Sequence, residues 1–318
     1  MNLSISEKEV DYRINNQYKK KRSIGEYIRK ERLAQGLKQE LVCKGVCSVS
    51  YFSRIESNKV NPPEIYITKI FERLNKPIPE NLDIENYYKE NINNFISAIE
   101  YKNDRLVDEE YNKILNIPDI NKDLYEFVYL IYYKKINDLE PLLLKLHQQQ
   151  VHFDNDELLL YLENVGSYYV IKNEYENAMR CISISLKLQD YLGIKKPSIL
   201  YKYAWILGKY NNDYQCLKYA EEAERLYSNQ NNIYRSLQSK LLIGIKLSKY
   251  FPERAIELYQ NCIRITNHSN YRGLIKVIKY NLAMVYKKCN NYVKSEKLFN
   301  ELISTYSDDN NYVFDVFV

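Results

Sequence analysis

The stretch that decides the fold of the N-terminal region runs from Ser23 to Pro79 and reads SIGEYIRKERLAQGLKQELVCKGVCSVSYFSRIESNKVNPPEIYITKIFERLNKPIP. Gly36 can adopt the left-handed backbone of a helix C-cap, so we expect a first helix to end at Gln35. A second short helix is expected to start near Gln39. Ser48 or Ser50 can open a third helix, because a serine hydroxyl accepts a bond from a first-turn N–H. A fourth helix follows Pro62-Pro63, where proline is tolerated at the first helical position. The stretch therefore predicts a compact domain of five helices over residues 23–80.

The spacing of polar residues in this stretch carries a resemblance. Arg32, Gly36, Leu37 and Gln39 form the pattern R-x-x-x-G-L-x-Q, which is followed after roughly fifteen residues by the sequence SRIE, ending at Glu56. This pattern resembles the Cro/repressor-like (Xre) helix-turn-helix family. The segment CSVSYFSRIES is similar to the peptide-pheromone-responsive Rap–Rgg–NprR–PlcR–PrgX group, and most to its PlcR- and NprR-type regulators. The resemblance implies DNA binding and a buried ion pair between Arg32 and Glu56.

Charge supports contact with DNA. Residues 1–80 hold 16 Lys+Arg and 10 Asp+Glu, whereas the remaining chain holds 30 and 31. The excess of positive charge therefore lies in the N-terminal quarter, as expected where a domain contacts phosphates. Residues 1–22 form a basic N-terminal arm, and its cluster Lys19-Lys20-Lys21-Arg22 is either a phosphate contact or a solvated tail.

A recognition helix presents its first residues to base edges and its flanks to phosphates. We expect base-edge contacts from Ser48, Ser50 and Tyr51. We expect phosphate contacts from Gln39, Ser53 and Arg54.

Beyond residue 80 the pattern predicts paired helices. Apolar residues recur at the helical spacing, and glycine and proline are scarce, with eight of each in the chain. Four small residues stand 38, 39 and 40 residues apart, and a second series lies twelve residues before them. The first series is Ala178, Cys216, Ala255 and Ser295; the second is Gly166, Ala204, Ile243 and Ala283. Small residues at fixed offsets let the helices of a hairpin pack closely, and stacked hairpins bury a continuous core.

This spacing is similar to the tetratricopeptide repeat, and residues 84–118 and 121–152 predict two further, degenerate pairs. The fold class is therefore all-α, with a tetratricopeptide-like α-solenoid over residues 81–318. The resemblance implies that this domain senses a peptide and forms a dimer. In the resembled group, asparagines on the concave face hold the peptide backbone, and Asn164 and Asn281 occupy equivalent positions here. The candidate peptide-binding residues are Asn164, Ser167, Tyr201, Lys202, Trp205, Lys209, Lys240, Tyr280, Asn281 and Met284. Trp205 is equally well explained as a core residue.

Other classes of function find little support in the sequence. The chain has no apolar run of transmembrane length and no secretory signal, so we expect a cytoplasmic protein without membrane contact. Its three histidines adjoin no nucleophile, and its six cysteines lack the spacing of a zinc site. We predict reduced core thiols, no cofactor, no metal and no enzymatic activity. The apolar segment 312–318 either caps the last repeat or packs across a dimer seam.

The sequence predicts a transcriptional regulator of quorum sensing. It would bind a double-stranded DNA operator as a homodimer under the control of a short signalling peptide. Two alternatives remain. One is an interaction protein whose repeats bind a partner such as a response regulator, and the other is an Xre-type repressor without a peptide ligand.

Overall fold

The computed structural model describes residues 3–16, 24–57, 60, 62–78, 84–117, 121–135, 137, 139–266 and 271–306, and most of these residues lie in helices. These residues contain no strand, as the all-α prediction requires. The α-helices are α1 Ser4–Asn15, α2 Ile24–Ala34, α3 Gln39–Cys43, α4 Val49–Glu56, α5 Glu64–Arg73, α6 Ile84–Glu100, α7 Asp104–Leu115, α8 Lys122–Tyr132, α9 Leu139–Gln149, α10 Asn155–Ile171, α11 Tyr175–Leu192, α12 Pro197–Lys209, α13 Asp213–Asn229, α14 Ile233–Tyr250, α15 Pro252–Thr266, α16 Arg272–Lys288 and α17 Tyr292–Tyr306. The predicted apolar end, 312–318, and the basic cluster at 19–22 lie outside the described residues.

The chain divides into two compact units. The head unit is Lys19–Tyr129, and the repeat unit is Met1–Tyr18 together with Leu130–Val318. These limits differ from the boundaries predicted at 22/23 and 80/81. Aromatic contacts explain the second difference, because Phe95 of α6 packs against Tyr125 at 6.3 Å between ring centroids, and Tyr111 of α7 stacks on Tyr129 at 4.1 Å. The start of α8 is thereby bound to α6 and α7 rather than to the later repeats.

In the head unit, caps set the ends of the short helices. Gly36 has a φ of 64°, and the N–H of Leu37 donates to the carbonyl of Arg32 over 3.0 Å, so the predicted C-cap is confirmed. Ser48 is the N-cap of α4, where its hydroxyl accepts the N–H of Tyr51 over 3.2 Å. Pro63 precedes the first helical residue of α5 instead of occupying it. Residues 24–78 hold four helices in the part described, α2 to α5.

An ion pair ties three helices of the head unit together. Arg32 of α2 donates through Nε to Glu56 Oε1 over 2.6 Å and through Nη2 to Glu56 Oε2 over 3.0 Å. Gln39 of α3 donates to the same Oε2 over 2.6 Å, and Glu56 is 3% exposed. The bidentate geometry satisfies both buried charges. The pairing expected from the sequence resemblance is therefore present in the structure.

In the repeat unit, four antiparallel hairpins follow one another, namely α10/α11, α12/α13, α14/α15 and α16/α17. The second-helix residues Ala178, Cys216, Ala255 and Ser295 are all buried, as the spacing predicts. A Cβ added at Gly166 would lie 2.5 Å from Ile182 Cδ1, so this glycine is required where the helices of the first hairpin approach. The third hairpin differs from the prediction, because its closest approach is at Gly244, which faces the ring of Tyr259, and not at Ile243.

The turns of these hairpins explain the shift at Gly244. Asn173, Asn211 and Asn290 end the first helices of the other three hairpins in the left-handed conformation, with φ between 56° and 60°. The N–H three residues beyond each helix end then bonds back into the last turn, for example from Glu174 to Tyr169 O over 2.8 Å. Only Phe251 separates α14 from α15, so the register of the third hairpin differs from the others.

The N-terminal segment differs most from the prediction. Residues 1–22 were expected to be a basic N-terminal arm preceding the DNA-binding domain, but Ser4–Asn15 form helix α1, which packs against α11 in the repeat unit. Val10 and Arg13 are both 0% exposed there. Burial of one face of α1 supplies the stabilisation that an isolated twelve-residue helix lacks in water.

Candidate functional site

The first candidate surface lies at the start of α4 in the head unit. Ser48, Ser50, Ser53 and Arg54 are exposed, and Tyr51 is half-buried with its ring edge against Tyr66 at 6.0 Å between centroids. Hydroxyl groups and a guanidinium on one short helix can donate to base edges and phosphates. The structure therefore places five of the six predicted DNA-binding residues on one accessible segment.

Gln39, the sixth predicted residue, has a role inside the head unit. Its amide donates to Glu56, so it orients the buried ion pair beneath α4. It is half-buried at the first position of α3. Gln39 thus links the start of α3 to α4, and a contact with phosphate would use the second N–H of its side-chain amide.

The second candidate surface consists of side chains on the first helices of the repeat hairpins. Asn164 on α10 and Asn281 on α16 share one geometry, because each donates its Nδ2 to the carbonyl four residues earlier, Leu160 or Val277, over 2.8 Å. Neither side-chain carbonyl oxygen has a hydrogen-bond partner among the described residues. Each amide is therefore held in place while it keeps an acceptor for a further bond.

Lys202, Trp205 and Lys209 share one face of α12 at the spacing i, i+3, i+7. The Nζ of Lys209 lies 4.5 Å from the centroid of the Trp205 ring and 5.7 Å from that of Tyr175. A cation over aromatic rings is a common arrangement at a partly exposed site. Trp205 is half-buried and packs against the core of its hairpin, so it also serves as core, in keeping with the alternative from the sequence.

Three of the predicted peptide-binding residues are buried, and Asn164, at 7% exposed, is the most accessible of the three. Tyr201 is 2% exposed and belongs to the core between α12 and α13, and Ser167 is 2% exposed and donates to Glu163 O over 3.3 Å. Their burial leaves no room for contact with a surface ligand. Tyr280 and Met284 on α16 are 41% and 43% exposed, so both are accessible.

Lys240 is held by an ion pair with Glu224 of α13, over 3.1 Å. Its place in the predicted set came from treating Ile243 as equivalent to Gly166. The shift of the close approach to Gly244 moves Lys240 by one position relative to that assignment. We therefore do not include Lys240 among the residues proposed below.

A buried carboxylate that the predicted set omitted lies next to Asn164. Glu163 Oε1 accepts from Lys202 Nζ over 2.8 Å, which joins α10 to α12. Burial raises the pKa of Glu163, but Lys202, Lys196 and the hydrogen bonds from Lys202 and Ser198 outweigh burial and lower it overall. Glu163 is consequently charged near neutral pH and fixes the position of Lys202.

Lysines connect successive hairpins in the same way further along the repeat unit. Lys246 Nζ donates to Gly208 O at the end of α12 over 2.8 Å, and Lys288 Nζ donates to Ser248 O near the end of α14 over 2.7 Å. Positive charge at the carbonyl end of a helix is favourable. Lys246 and Lys249 also bind Asp213, at 2.9 Å each. The hydrogen bond from Lys249 and the other bonds to Asp213 lower its pKa against the opposing effect of burial.

Charge is distributed unevenly between the two helices of the last three hairpins. The first helices α12, α14 and α16 carry two, four and five Lys or Arg and no Asp or Glu. The second helices α13, α15 and α17 carry six basic and eight acidic residues. Glu163, Asp213, Glu224 and Glu301 offset part of the positive charge through ion pairs. The first helices retain a positive excess, which favours an anionic ligand.

Groups suited to metal binding or thiol chemistry are not evident in the described part of the chain. His, Cys, Asp and Glu side chains form no group of three there that could hold a metal ion. All six cysteines are thiols, and burial raises the pKa of Cys216 and of Cys262 to about 11. None of the described helices combines the length and apolar character needed to cross a bilayer.

The comparisons with known proteins agree with this arrangement. The helix-turn-helix family model matches residues 28–81. The transcriptional activator NprA of Geobacillus stearothermophilus is 26% identical over 258 residues, which are 75% of this chain and 62% of NprA. The chain thus spans less than two thirds of the length of that relative.

Two solved structures share the fold. NprR in complex with its cognate peptide NprX matches with a TM-score of 0.60 and 16% identity, over 70% of this chain and 68% of NprR. A Rap protein in complex with competence and sporulation factor matches with a TM-score of 0.59 and 15% identity, over 70% of this chain and 67% of Rap. The chain therefore carries a helix-turn-helix domain at residues 28–81 and shares the fold of NprR and Rap over 70% of its length.

Proposed function

We propose that the chain is a DNA-binding transcriptional regulator whose activity is controlled by a short signalling peptide bound on the first helices of its repeat unit. The observation that carries the proposal is the presence, in one chain, of a helix-turn-helix head with an accessible recognition helix and a repeat unit of the NprR fold. Such a regulator would act in the cytoplasm, where its operator lies, and would need no cofactor or catalytic group.

In this proposal, Ser48, Ser50 and Tyr51 read base edges, while Ser53 and Arg54 contact phosphates. The chain acts as a homodimer, because two half-sites on one face of DNA require two heads at a fixed spacing. The buried ion pair connects α2, α3 and α4 and so orients α4 within the head.

The proposed peptide-binding residues are Asn164, Lys202, Trp205, Lys209, Tyr280, Asn281 and Met284. Asn164 and Asn281 would bond the peptide backbone through the acceptors that they retain. The positive excess on α12, α14 and α16 favours a peptide with acidic side chains or an accessible terminal carboxylate. Binding would favour one arrangement of the two heads and so change affinity for the operator.

The proposal is tested by DNA binding with and without peptide. Full-length protein would be incubated with fragments of its own genome, and the retained fragments would be sequenced. Synthetic peptides from short reading frames beside the gene would then be added to the retained complex. We expect specific fragments to be retained and one peptide to change that retention; retention of no preferred sequence would contradict the proposal.

The alternative of a partner-binding protein is addressed by a deletion that the structure makes possible. Removal of residues 24–78 keeps α1 and the rest of the repeat unit. If a response regulator binds the deleted and full-length proteins equally, whereas DNA fragments bind neither selectively, the interaction-protein function is favoured. If DNA is retained selectively but no peptide changes the retention, the chain is an Xre-type repressor without a peptide ligand.

A further inference from the structure

Helix α1 has one face that is almost entirely buried. Leu3, Ser6, Val10 and Arg13 are 1%, 0%, 0% and 0% exposed, and their spacing of three or four residues places them on one side of the helix. Tyr12, on another side, is 56% exposed. Since α1 belongs to the same compact unit as the repeats, the buried face is covered by the repeat unit.

The contacts under α1 are polar as well as apolar, and they are specific. Arg13 donates through Nη1 to Asn155 Oδ1 and through Nη2 to Gln150 O, both over 3.2 Å, and through Nε to Glu9 over 2.7 Å. Ser6 donates to Gln150 Oε1 over 2.7 Å. A buried guanidinium that has lost water needs such partners, so the orientation of α1 is strongly determined.

Two ion pairs at the edge of the contact fix α1 on helix α11. Glu7 lies 3.0 Å from Arg180, and Asp11 lies 2.5 Å from Lys187. The two acidic residues are one helical turn apart on α1, and the two basic residues are about two turns apart on α11. Exposed pairs of this kind contribute little stability but select a register and a direction.

The position of α1 in the chain gives this contact a consequence. In sequence, the head unit is inserted between the two parts of the repeat unit. Its boundaries lie at 18/19 and, within α8, at 129/130. The eight residues 16–23 alone join α1 to α2. Such a connection can extend to no more than about 28 Å, since each residue spans at most about 3.5 Å.

We propose that α1 is an intramolecular strap that anchors the helix-turn-helix head to the repeat unit on the N-terminal side of the head. The head is then attached at both of its chain ends instead of through α8 alone. The second attachment limits the rotations available to the head, and release of α1 removes that limit. This role is independent of the identity of the peptide and of the operator.

The first test measures whether α1 is docked in solution. Hydrogen exchange of the α1 amides would be followed in the full chain, in Val10→Asp and in Tyr12→Asp. The two variants place the same charged group on one helix, but only Val10 is buried. We expect slow exchange in wild type and in Tyr12→Asp, and exchange about tenfold to a hundredfold faster in Val10→Asp. Rapid exchange in wild type, or equal exchange in both variants, would overturn the docking.

The second test measures whether docking restrains the head. A protease recognition sequence would replace Lys19–Arg22, and the purified full chain would be cleaved there. We expect the released α1 segment to co-elute with the remainder of the chain, because its contacts do not depend on the connection. The head amides of α2 to α5 should show a shorter rotational correlation time by nuclear magnetic relaxation after cleavage.

The outcomes of the second test are separable from a failure to fold. The uncleaved protein with the recognition sequence serves as the control, because it differs by one peptide bond. If the α1 segment elutes alone, the docking is too weak to act as a strap. If the segment stays bound and the correlation time of the head does not change, α1 belongs to the repeat fold without restraining the head, and the proposal is overturned.

Discussion

Charged side chains that are buried in this protein are held by ion pairs which connect different helices. Arg32 and Glu56 connect α2 with α4, and Glu163 and Lys202 connect α10 with α12. Loss of one partner from a buried pair leaves the other charge without compensation. Replacing the carboxylate of either pair is therefore expected to destabilise the protein.

Glu56→Ala is expected to destabilise the helix-turn-helix head by about 3–5 kcal/mol, because Arg32 would remain buried without a carboxylate. Hydrogen exchange of the amides in α2 to α5 measures the effect within the full chain. Glu72→Ala, which removes an exposed carboxylate from the same head, should change exchange little. Equal effects of the two substitutions would show that the Arg32–Glu56 pair is not buried in solution.

Glu163→Gln is expected to weaken the repeat unit in a pH-dependent way. Because the pKa of Glu163 is lowered in the folded protein, its contribution is complete above its ordinary value of 4.5 and is lost as pH falls through the lower folded value. The difference in unfolding free energy between wild type and Glu163→Gln should therefore shrink below pH 4.5.

Trp205 fluorescence during urea unfolding reports this difference, because Trp205 and Lys202 share α12 and Trp205 is the only tryptophan. Glu176→Gln replaces an exposed carboxylate on α11 and is the matched control. A difference that stays constant as the solution is acidified would contradict the assigned role of Glu163.

At the scale of helices, much of the architecture could be predicted from spacing. The small residues at intervals near 39 predicted the hairpins because close approach of two helices has a strict steric requirement. The register of the third hairpin was wrong by one residue, since the one-residue turn at Phe251 changes how α14 meets α15. A regular interval in the sequence does not reveal a change in turn length.

Alanine substitutions at Gly244 and Gly273 are expected to have opposite effects on the stability of the protein. Gly244→Ala would place a Cβ 2.5 Å from Tyr259 Cε1, so we expect destabilisation of about 1–3 kcal/mol from overpacking. Gly273→Ala lies in α16 with no atom within 4 Å and should stabilise by about 0.5–1 kcal/mol. Thermal unfolding of the two variants makes the comparison. A Gly244→Ala protein as stable as Gly273→Ala would contradict the tight packing.

The candidate peptide-binding surface was less predictable than the hairpins. Asn164 and Asn281 could be selected from their equal offset, and the structure gives both the same bond to the carbonyl four residues earlier. Tyr201 was selected by the same offset rule but is buried, because an offset specifies a direction on a helix and not whether a neighbouring helix covers it. The asparagines at the hairpin turns were missed, although Asn is favoured where φ is positive.

Asn164→Ala and Asn281→Ala are each expected to lower peptide affinity about tenfold to a hundredfold, since a lost bond to a buried peptide group costs about 1–3 kcal/mol. Isothermal titration calorimetry with the cognate peptide measures the loss. Asn229→Ala, at the exposed end of α13, is the matched control. Unchanged affinity in both first-helix variants would remove these asparagines from the proposed site.

At the scale of the whole molecule, the sequence predicted the order of a DNA-binding head and a repeat domain but not the role of the first sixteen residues. Helix α1 carries few apolar residues, and Arg13 and Ser6 form much of its buried face. A polar contact of this kind has no signal in hydrophobic spacing. The compact head unit extends beyond residue 80 for a related reason, because aromatic contacts between distant residues hold α6, α7 and the start of α8 together.

The proposed orientation of the head on DNA predicts different consequences for two residues of α4. Arg54→Ala should weaken binding to every duplex and reduce the steepness of the salt dependence by about one unit, because one phosphate contact releases about one counterion. Tyr51→Ala should instead reduce discrimination between the operator and other duplexes, by about 1–3 kcal/mol if its ring contacts one base pair. Lys69→Ala, which removes an exposed positive charge from α5, is the charge-matched control. Mobility-shift titrations at several salt concentrations measure all three variants. If Arg54→Ala and Lys69→Ala have the same salt dependence while Tyr51→Ala retains full discrimination, α4 is not the helix that enters the groove.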